Sequence, residues 1–218
     1  MNIQDRRNAE TAASPPIPAV ATFLNQDLGS PRRRGSIKRL ANGWEVTAGG
    51  VDIWGSSDEG HFVYRPEPGD FDIAVRVERF AAPHLYSKAG LMIRESLSAD
   101  SAHLMFLVFG NDAPRNNNLG AYELQFRSLP GADCQGVYPA VRLPAPPEFP
   151  ANFPNSWLRV RRRGQVFTAF ASTDGRQWKV YGEQRLNLAS VVQVGPALTS
   201  HDPDVIATAN FCDFGPLR

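Results

Sequence analysis

At 218 residues, with 23 Lys and Arg against 22 Asp and Glu and a formal net charge of +1, the chain carries no global field that would draw in nucleic acid or an anionic membrane surface. Its 18 glycines and 18 prolines fall between short apolar runs, a punctuation that excludes a helical bundle and fits one all-β unit of ordinary size. No run of about 18 apolar residues occurs, and Cys134 and Cys212 are too few for a disulfide framework or a metal cluster, although a single bridge between them stays open.

In chain order, residues 1–22 read as a flexible leader, because the Ala, Ser and Pro of Thr11-Ala-Ala-Ser-Pro-Pro bury too little surface to offset ordering entropy. The remainder, 23–218, reads as a single β-sandwich domain. No apolar segment precedes a cleavage site, so the chain as given reads as soluble and cytoplasmic; a chain trimmed of its export signal would be extracellular and read the same. Strand-like runs then recur at Ser36–Leu40, Gly43–Ala48, Val51–Trp54, His61–Arg65, Phe71–Arg79, Ser87–Glu95, Ala102–Phe109 and Ala121–Arg127. Asn42-Gly43 supplies a turn tolerant of positive φ.

Residues 129–156 break the rhythm. Seven prolines from Pro130 to Pro154 exclude a regular central strand there and predict a long ordered loop over one rim, carrying Cys134, Tyr138, Phe149 and Phe153. Strands resume at Trp157–Arg163, Val166–Ser172 and Gln177–Gly182, joined through Gly164 and Asp174-Gly175 into a meander, and end with Gln193–Ser200 and Ile206–Phe214. Thirteen strand-like runs with no helix predict two stacked antiparallel sheets.

Alternation assigns faces. Lys88, Gly90, Met92 and Arg94 share one face of their strand, and Ala89, Leu91, Ile93 and Glu95 the other. Likewise Tyr122, Leu124 and Phe126 oppose Glu123, Gln125 and Arg127. The polar sets read as the lining of a groove.

Asp27-Leu-Gly-Ser30, Asp52-Ile-Trp-Gly-Ser56, Gly69-Asp-Phe71, Lys88-Ala-Gly-Leu-Met-Ile-Arg-Glu95, Trp157-Leu-Arg159, Ser172-Thr-Asp-Gly175 with Trp178, and Thr199-Ser-His201 occur in an order that resembles the concanavalin A-like lectin/glucanase superfamily, in its regulation-of-enolase-like branch. The resemblance implies an antiparallel two-sheet jelly-roll sandwich with one concave sheet. The Glu-x-Asp-x-x-Glu strand of the glucanases and the Gln-Ile-His strand of the alginate lyases are both missing, so no catalytic residues carry over from those branches.

On that presumed concave sheet, Lys88 and Arg94 are candidates to bind carboxylates or sugar hydroxyls, with Glu123, Gln125 and Arg127 as a second polar row; the structural alternative is pairing with Glu123 or Glu95. Trp54 and His61 flank a Gly-Ser-Ser-Asp-Glu-Gly turn, where an indole would stack on a sugar and an imidazole fix a hydroxyl, while core packing suits the same Trp54. Arg159 completes the ligand-binding set. His201 sits at a rim, as a solvated or a reactive histidine. Asp70, Asp72 and Asp213 are the candidate calcium ligands, calcium being a common stabiliser of the superfamily; otherwise no cofactor is expected. The basic triplets Arg32–Arg34 and Arg161–Arg163 read as solvated hairpin ends.

Three functions follow in order. The first is a non-catalytic module binding a carbohydrate or small ligand, lectin-like, on the concave sheet. The second is a hydrolase or lyase of carbohydrates, with Glu123 or Glu95 as acid/base, Arg94 as charge stabiliser and His61 beside them. The third is a protein-interaction module with an apolar patch at Phe149 and Phe153.

Overall fold

The computed structural model describes residues 22–115, 118, 120–139 and 148–217. All but one residue of the expected leader and the middle of the Pro-rich loop, 140–147, lie outside the described residues. The strands in chain order are β1 (Leu24–Leu28), β2 (Ser36–Leu40), β3 (Gly43–Gly50), β4 (Ile53–Trp54), β5 (Ser57–Asp58), β6 (Gly60–Pro68), β7 (Phe71–Ala81) and β8 (Lys88–Arg94). They continue as β9 (His103–Phe109), β10 (Tyr122–Arg127), β11 (Gln135–Val137), β12 (Ser156–Arg163), β13 (Val166–Ser172), β14 (Lys179–Arg185), β15 (Val191–Thr199) and β16 (Asp202–Pro216). No helix long and apolar enough to cross a membrane occurs among the described residues.

Two seven-stranded sheets result, in the orders β1-β6-β15-β8-β9-β10-β11 and β14-β13-β12-β7-β16-β3-β2, with every pairing antiparallel. The alternation read from the sequence holds. Ala89, Leu91 and Ile93 of β8 join Leu104, Phe106 and Leu124 of the first sheet against Val75, Leu158, Val160 and Phe211 of the second, forming the main core. The opposite face of the first sheet carries a second apolar cluster, in which Phe62, Met92, Met105 and Leu107 are covered by Ile53 of β4.

That cover was not expected. The predicted run Val51–Trp54 shrinks to the two residues of β4, which pair with β5 as a small hairpin, Trp54 opposite Ser57. Gly55 turns the chain at φ 55°, a conformation that side chains rarely adopt. The hairpin lies over the outer face of the first sheet, its carbonyls meeting β8 and β10 side chains. β1 and β11 are further elements missed in the sequence. They are the two edge strands of the first sheet, where polar or very short segments pair without the alternation that identifies a central strand.

Turn chemistry is partly revised. Gly164 (φ 58°) and Gly175 (φ 70°) adopt the left-handed backbone their hairpins require. Asn42 and Gly43 do not, since the turn precedes Gly43, which opens β3. A Cβ there would come within 1.9 Å of the Phe211 carbonyl oxygen, so close approach to β16 rather than turn geometry selects this glycine. Cys134 and Cys212 are buried free thiols and form no bridge: Cys134 packs near His103, while Cys212 lies in β16 beside Glu78.

Candidate functional site

The two polar rows on the outer face of the first sheet split into a sealed half and an open half. At the sealed end, Arg94 of β8 and Arg127 of β10, both on the polar face that alternation gives them, converge on a residue the sequence did not single out. Asp58 of β5 has no exposed surface, and neither do the two arginines. Its Oδ1 accepts from Arg127 Nη2 at 2.6 Å, and its Oδ2 from Arg127 Nη1 at 3.0 Å and Arg94 Nη1 at 3.2 Å. The remaining donors of Arg127 reach the carbonyls of Trp54, Gly55, Ala99 and Ser101, and those of Arg94 reach Ser96 and Ser98. Arg94 and Arg127 are therefore spent on the chain's own carboxylate and backbone, outside a ligand's reach. Gln125 is sealed with them, donating to the Ile53 carbonyl at 2.7 Å.

His103, on β9 between those strands, is fully buried, its Nδ1 3.6 Å from Asp58 Oδ2. Burial, with the two arginines alongside, pulls its pKa down to about 4 against the opposing pull of Asp58.

The open end is a pocket of about 360 Å³. Three rings, Trp54, Tyr86 and Tyr138, line it together with Asp52, Lys88, Glu123 and His201. Lys88 Nζ lies 2.8 Å from Asp52 Oδ1, donates to the Ile53 carbonyl at 3.0 Å and stands 4.9 Å from the Trp54 ring centroid. Tyr138 donates its hydroxyl to Glu123 Oε2 at 3.0 Å. His201 stacks on His84 with centroids 4.5 Å apart, and its Nδ1 approaches Asp52 Oδ2 to 3.3 Å without hydrogen-bond alignment.

The two carboxyl groups of this pocket are pushed apart. Burial raises Glu123 above the usual carboxylate range, outweighing Lys88 and Tyr138, which pull the other way. Burial acts on Asp52 in the same sense, but there the imidazole of His201 and the ammonium of Lys88 win and hold it below that range. Burial and the neighbouring Glu123 raise Tyr138, keeping its phenol a donor.

His201 adopts φ 57°, in the left-handed region that a residue with a side chain occupies at a cost of about 1 kcal/mol or more. His201→Gly relieves that strain while deleting the imidazole. It is expected to leave stability unchanged or raised by up to about 1 kcal/mol in urea unfolding. A clear loss would instead trace the choice of histidine to its stacking on His84.

Trp54, Lys88 and Glu123 of the expected ligand-binding set thus meet at the pocket, where the rim candidate His201 joins them; the rest of that set lie elsewhere. His61 points with Val63 toward the inter-sheet side, both ring nitrogens held by β1, Nδ1 to Asp27 at 2.8 Å and Nε2 to Asn25 at 3.1 Å. Glu95 caps a loop by accepting from the Ala189 amide at 2.7 Å. Arg159 belongs to the second sheet, where it pairs with both oxygens of Asp72 at 2.7 Å and lies over Phe170 and Trp178.

The three aspartates named for calcium are dispersed. Asp70 accepts from the Gly164 amide, Asp72 is held by Arg159, and Asp213 by Arg76 and Asn42. No group of three or more His, Cys, Asp or Glu among the described residues comes together in a way that could hold a metal ion, so these aspartates do not fit the calcium role. Phe149 and Phe153 leave the expected apolar patch too: Phe149 is buried against Tyr122 and Tyr181, and Phe153 packs on Phe80.

The pocket residues that sequence reading missed, Asp52, Tyr86 and Tyr138, come from loops and strand ends. Asp52 had a signal in its place in Asp52-Ile-Trp-Gly-Ser56, and Tyr138 in the long Pro-rich loop that carries it.

No family model and no curated protein matches this chain. Solved structures do. A functionally unknown protein from Saccharomyces cerevisiae is 21% identical with a TM-score of 0.63, covering 91% of this chain and 97% of that one. A GH43 protein from Bacillus licheniformis is 12% identical with a TM-score of 0.54 over 80% of this chain, which spans only 33% of that protein. The exoplasmic/lumenal domain of VIP36, in its Ca²⁺- and Man3GlcNAc-bound form, is 10% identical with a TM-score of 0.49, covering 90% of this chain and 84% of that one. With the two antiparallel sheets, the first two of these comparisons give the fold alone: an all-β two-sheet sandwich.

Proposed function

We propose that the protein is a carbohydrate-binding module whose ligand enters the pocket beside Trp54. One observation carries this reading: three aromatic rings and two carboxyl groups converge in a single cavity on the outer face of the first sheet. Rings offer flat apolar surface to the C–H face of a pyranose, and carboxylates accept from its hydroxyls through charge-assisted hydrogen bonds.

Isothermal titration against a glycan panel tests it. The wild-type protein should bind at least one glycan, and Trp54→Ala should weaken that binding by at least tenfold with its unfolding midpoint little changed. A panel without a ligand, or a Trp54→Ala variant that binds as well as wild type, would overturn the proposal.

A second reading, proton transfer on the same saccharide, is favoured by the opposed settings of Asp52 and Glu123, since a carboxyl biased toward protonation beside one held ionised is the pattern of an acid and a base. Release of new sugar ends, lost in Glu123→Gln without unfolding, would establish it.

A further inference from the structure

We infer that this pocket selects uncharged saccharides and rejects uronates and other anionic sugars. The inference rests on the saccharide-binding reading above and adds the chemical class of the ligand.

Among the described residues, Lys88 is the only Lys or Arg lining the pocket. An ammonium has three donors. Here the Asp52 carboxylate, the Ile53 carbonyl and the Trp54 ring occupy its surroundings at 2.8, 3.0 and 4.9 Å, and its side chain is only 3% exposed. Two of these neighbours are hydrogen-bond acceptors and the third is the face of an indole, so a ligand carboxylate would have to compete with contacts the ammonium already makes.

The arginines that would clamp a uronate on an open sheet face are consumed as well. Arg94 and Arg127 hold Asp58 beneath the β4–β5 hairpin with no exposed surface. His201 remains, half-buried and beside Asp52, so a proton on its imidazole would first answer the chain's own carboxylate. What the cavity offers an incoming group is therefore mostly acceptor: Asp52, already ionised, and Glu123.

An anionic ligand would bring a further carboxylate up to Asp52 in partly desolvated space, with no uncommitted Lys or Arg among the described residues to meet it, a like-charge arrangement that disfavours binding. Sugar hydroxyls face the opposite situation, since each has a proton to donate. The pocket thus discriminates by withholding cations, which are present in the sequence but turned inward.

The test pairs oligogalacturonate and oligoalginate with their carboxyl-reduced counterparts, which keep chain length and linkage and lose only the charge, alongside neutral gluco-, manno- and xylo-oligosaccharides. Binding by the wild-type protein is read by titration calorimetry. The expected result is binding of neutral oligosaccharides, with each uronate at least tenfold weaker than its reduced twin. Glu123→Gln, checked for folding by circular dichroism, should narrow that ratio. A uronate that binds as well as its reduced twin, or better, overturns this inference and leaves saccharide binding standing. Failure of every sugar, charged or not, overturns the saccharide-binding reading, and this inference with it.

Discussion

Asp58→Asn is expected to lower the free energy of unfolding by about 3–5 kcal/mol, a large part of the stability of an ordinary domain. The substitution preserves shape but removes the one carboxylate between Arg94 and Arg127, leaving two guanidinium groups buried beside each other without compensation. Burial already pushes the Arg94 pKa down, with Asp58 opposing that push and Arg127 adding to it. Urea unfolding measures the loss. In an Arg127→Met background the same substitution should cost at least about 2 kcal/mol less, because one of the stranded charges has gone. Equal losses in both backgrounds would mean that Asp58 acts through its hairpin backbone rather than through the arginines.

The second large effect is a loss of stability in mild acid governed by His103. Its pKa falls from 6.5 to about 4 on folding. Between those values the unfolded chain binds a proton that the native chain does not, so stability rises with pH across the window. The contribution is complete above about pH 6.5 and is lost as pH falls toward 4, amounting to about 3 kcal/mol over the whole interval. Urea unfolding at pH 7 and at pH 4.5 should show it, and His103→Gln, which cannot take up the proton, should flatten the difference by about 2 kcal/mol or more. If wild type and variant lose equal stability, titration of other groups governs the acid limb.

Architecture was legible in the sequence because apolar alternation is a local signal. Leu91 and Ile93 could be assigned to the core, and Lys88 and Arg94 to the opposite face, from their own strand alone. The site was only half legible, because which face a side chain takes does not say what lies over that face. Alternation put Arg94 and Arg127 in the two polar rows of one face, with Glu123 or Glu95 as the expected partners, and gave no sign of Asp58, which arrives from a segment whose Gly-Ser-Ser-Asp-Glu-Gly composition reads as solvated turn. His61 was misjudged for a related reason. Proximity in sequence to Trp54 suggested a shared site, whereas strand alternation sends it to the other side of the first sheet, against Asp27 and Asn25. Tyr138 had no periodic signal, lying just after a three-residue strand in a Pro-rich loop.

One short segment serves both ends of the sheet face. The Ile53 carbonyl receives Lys88 and Gln125, the Trp54 carbonyl receives Arg127, and the Trp54 ring forms a wall of the pocket, all within β4. On the saccharide-binding reading proposed above, the bound state and the folded state share contacts and are thermodynamically linked: a ligand gripping Trp54 would hold down the same hairpin that keeps Asp58 dry. A protein so arranged would report occupancy of its pocket as resistance to unfolding. Weakening of the arginine seal would loosen the ligand's wall from beneath, without any change in a residue the ligand touches.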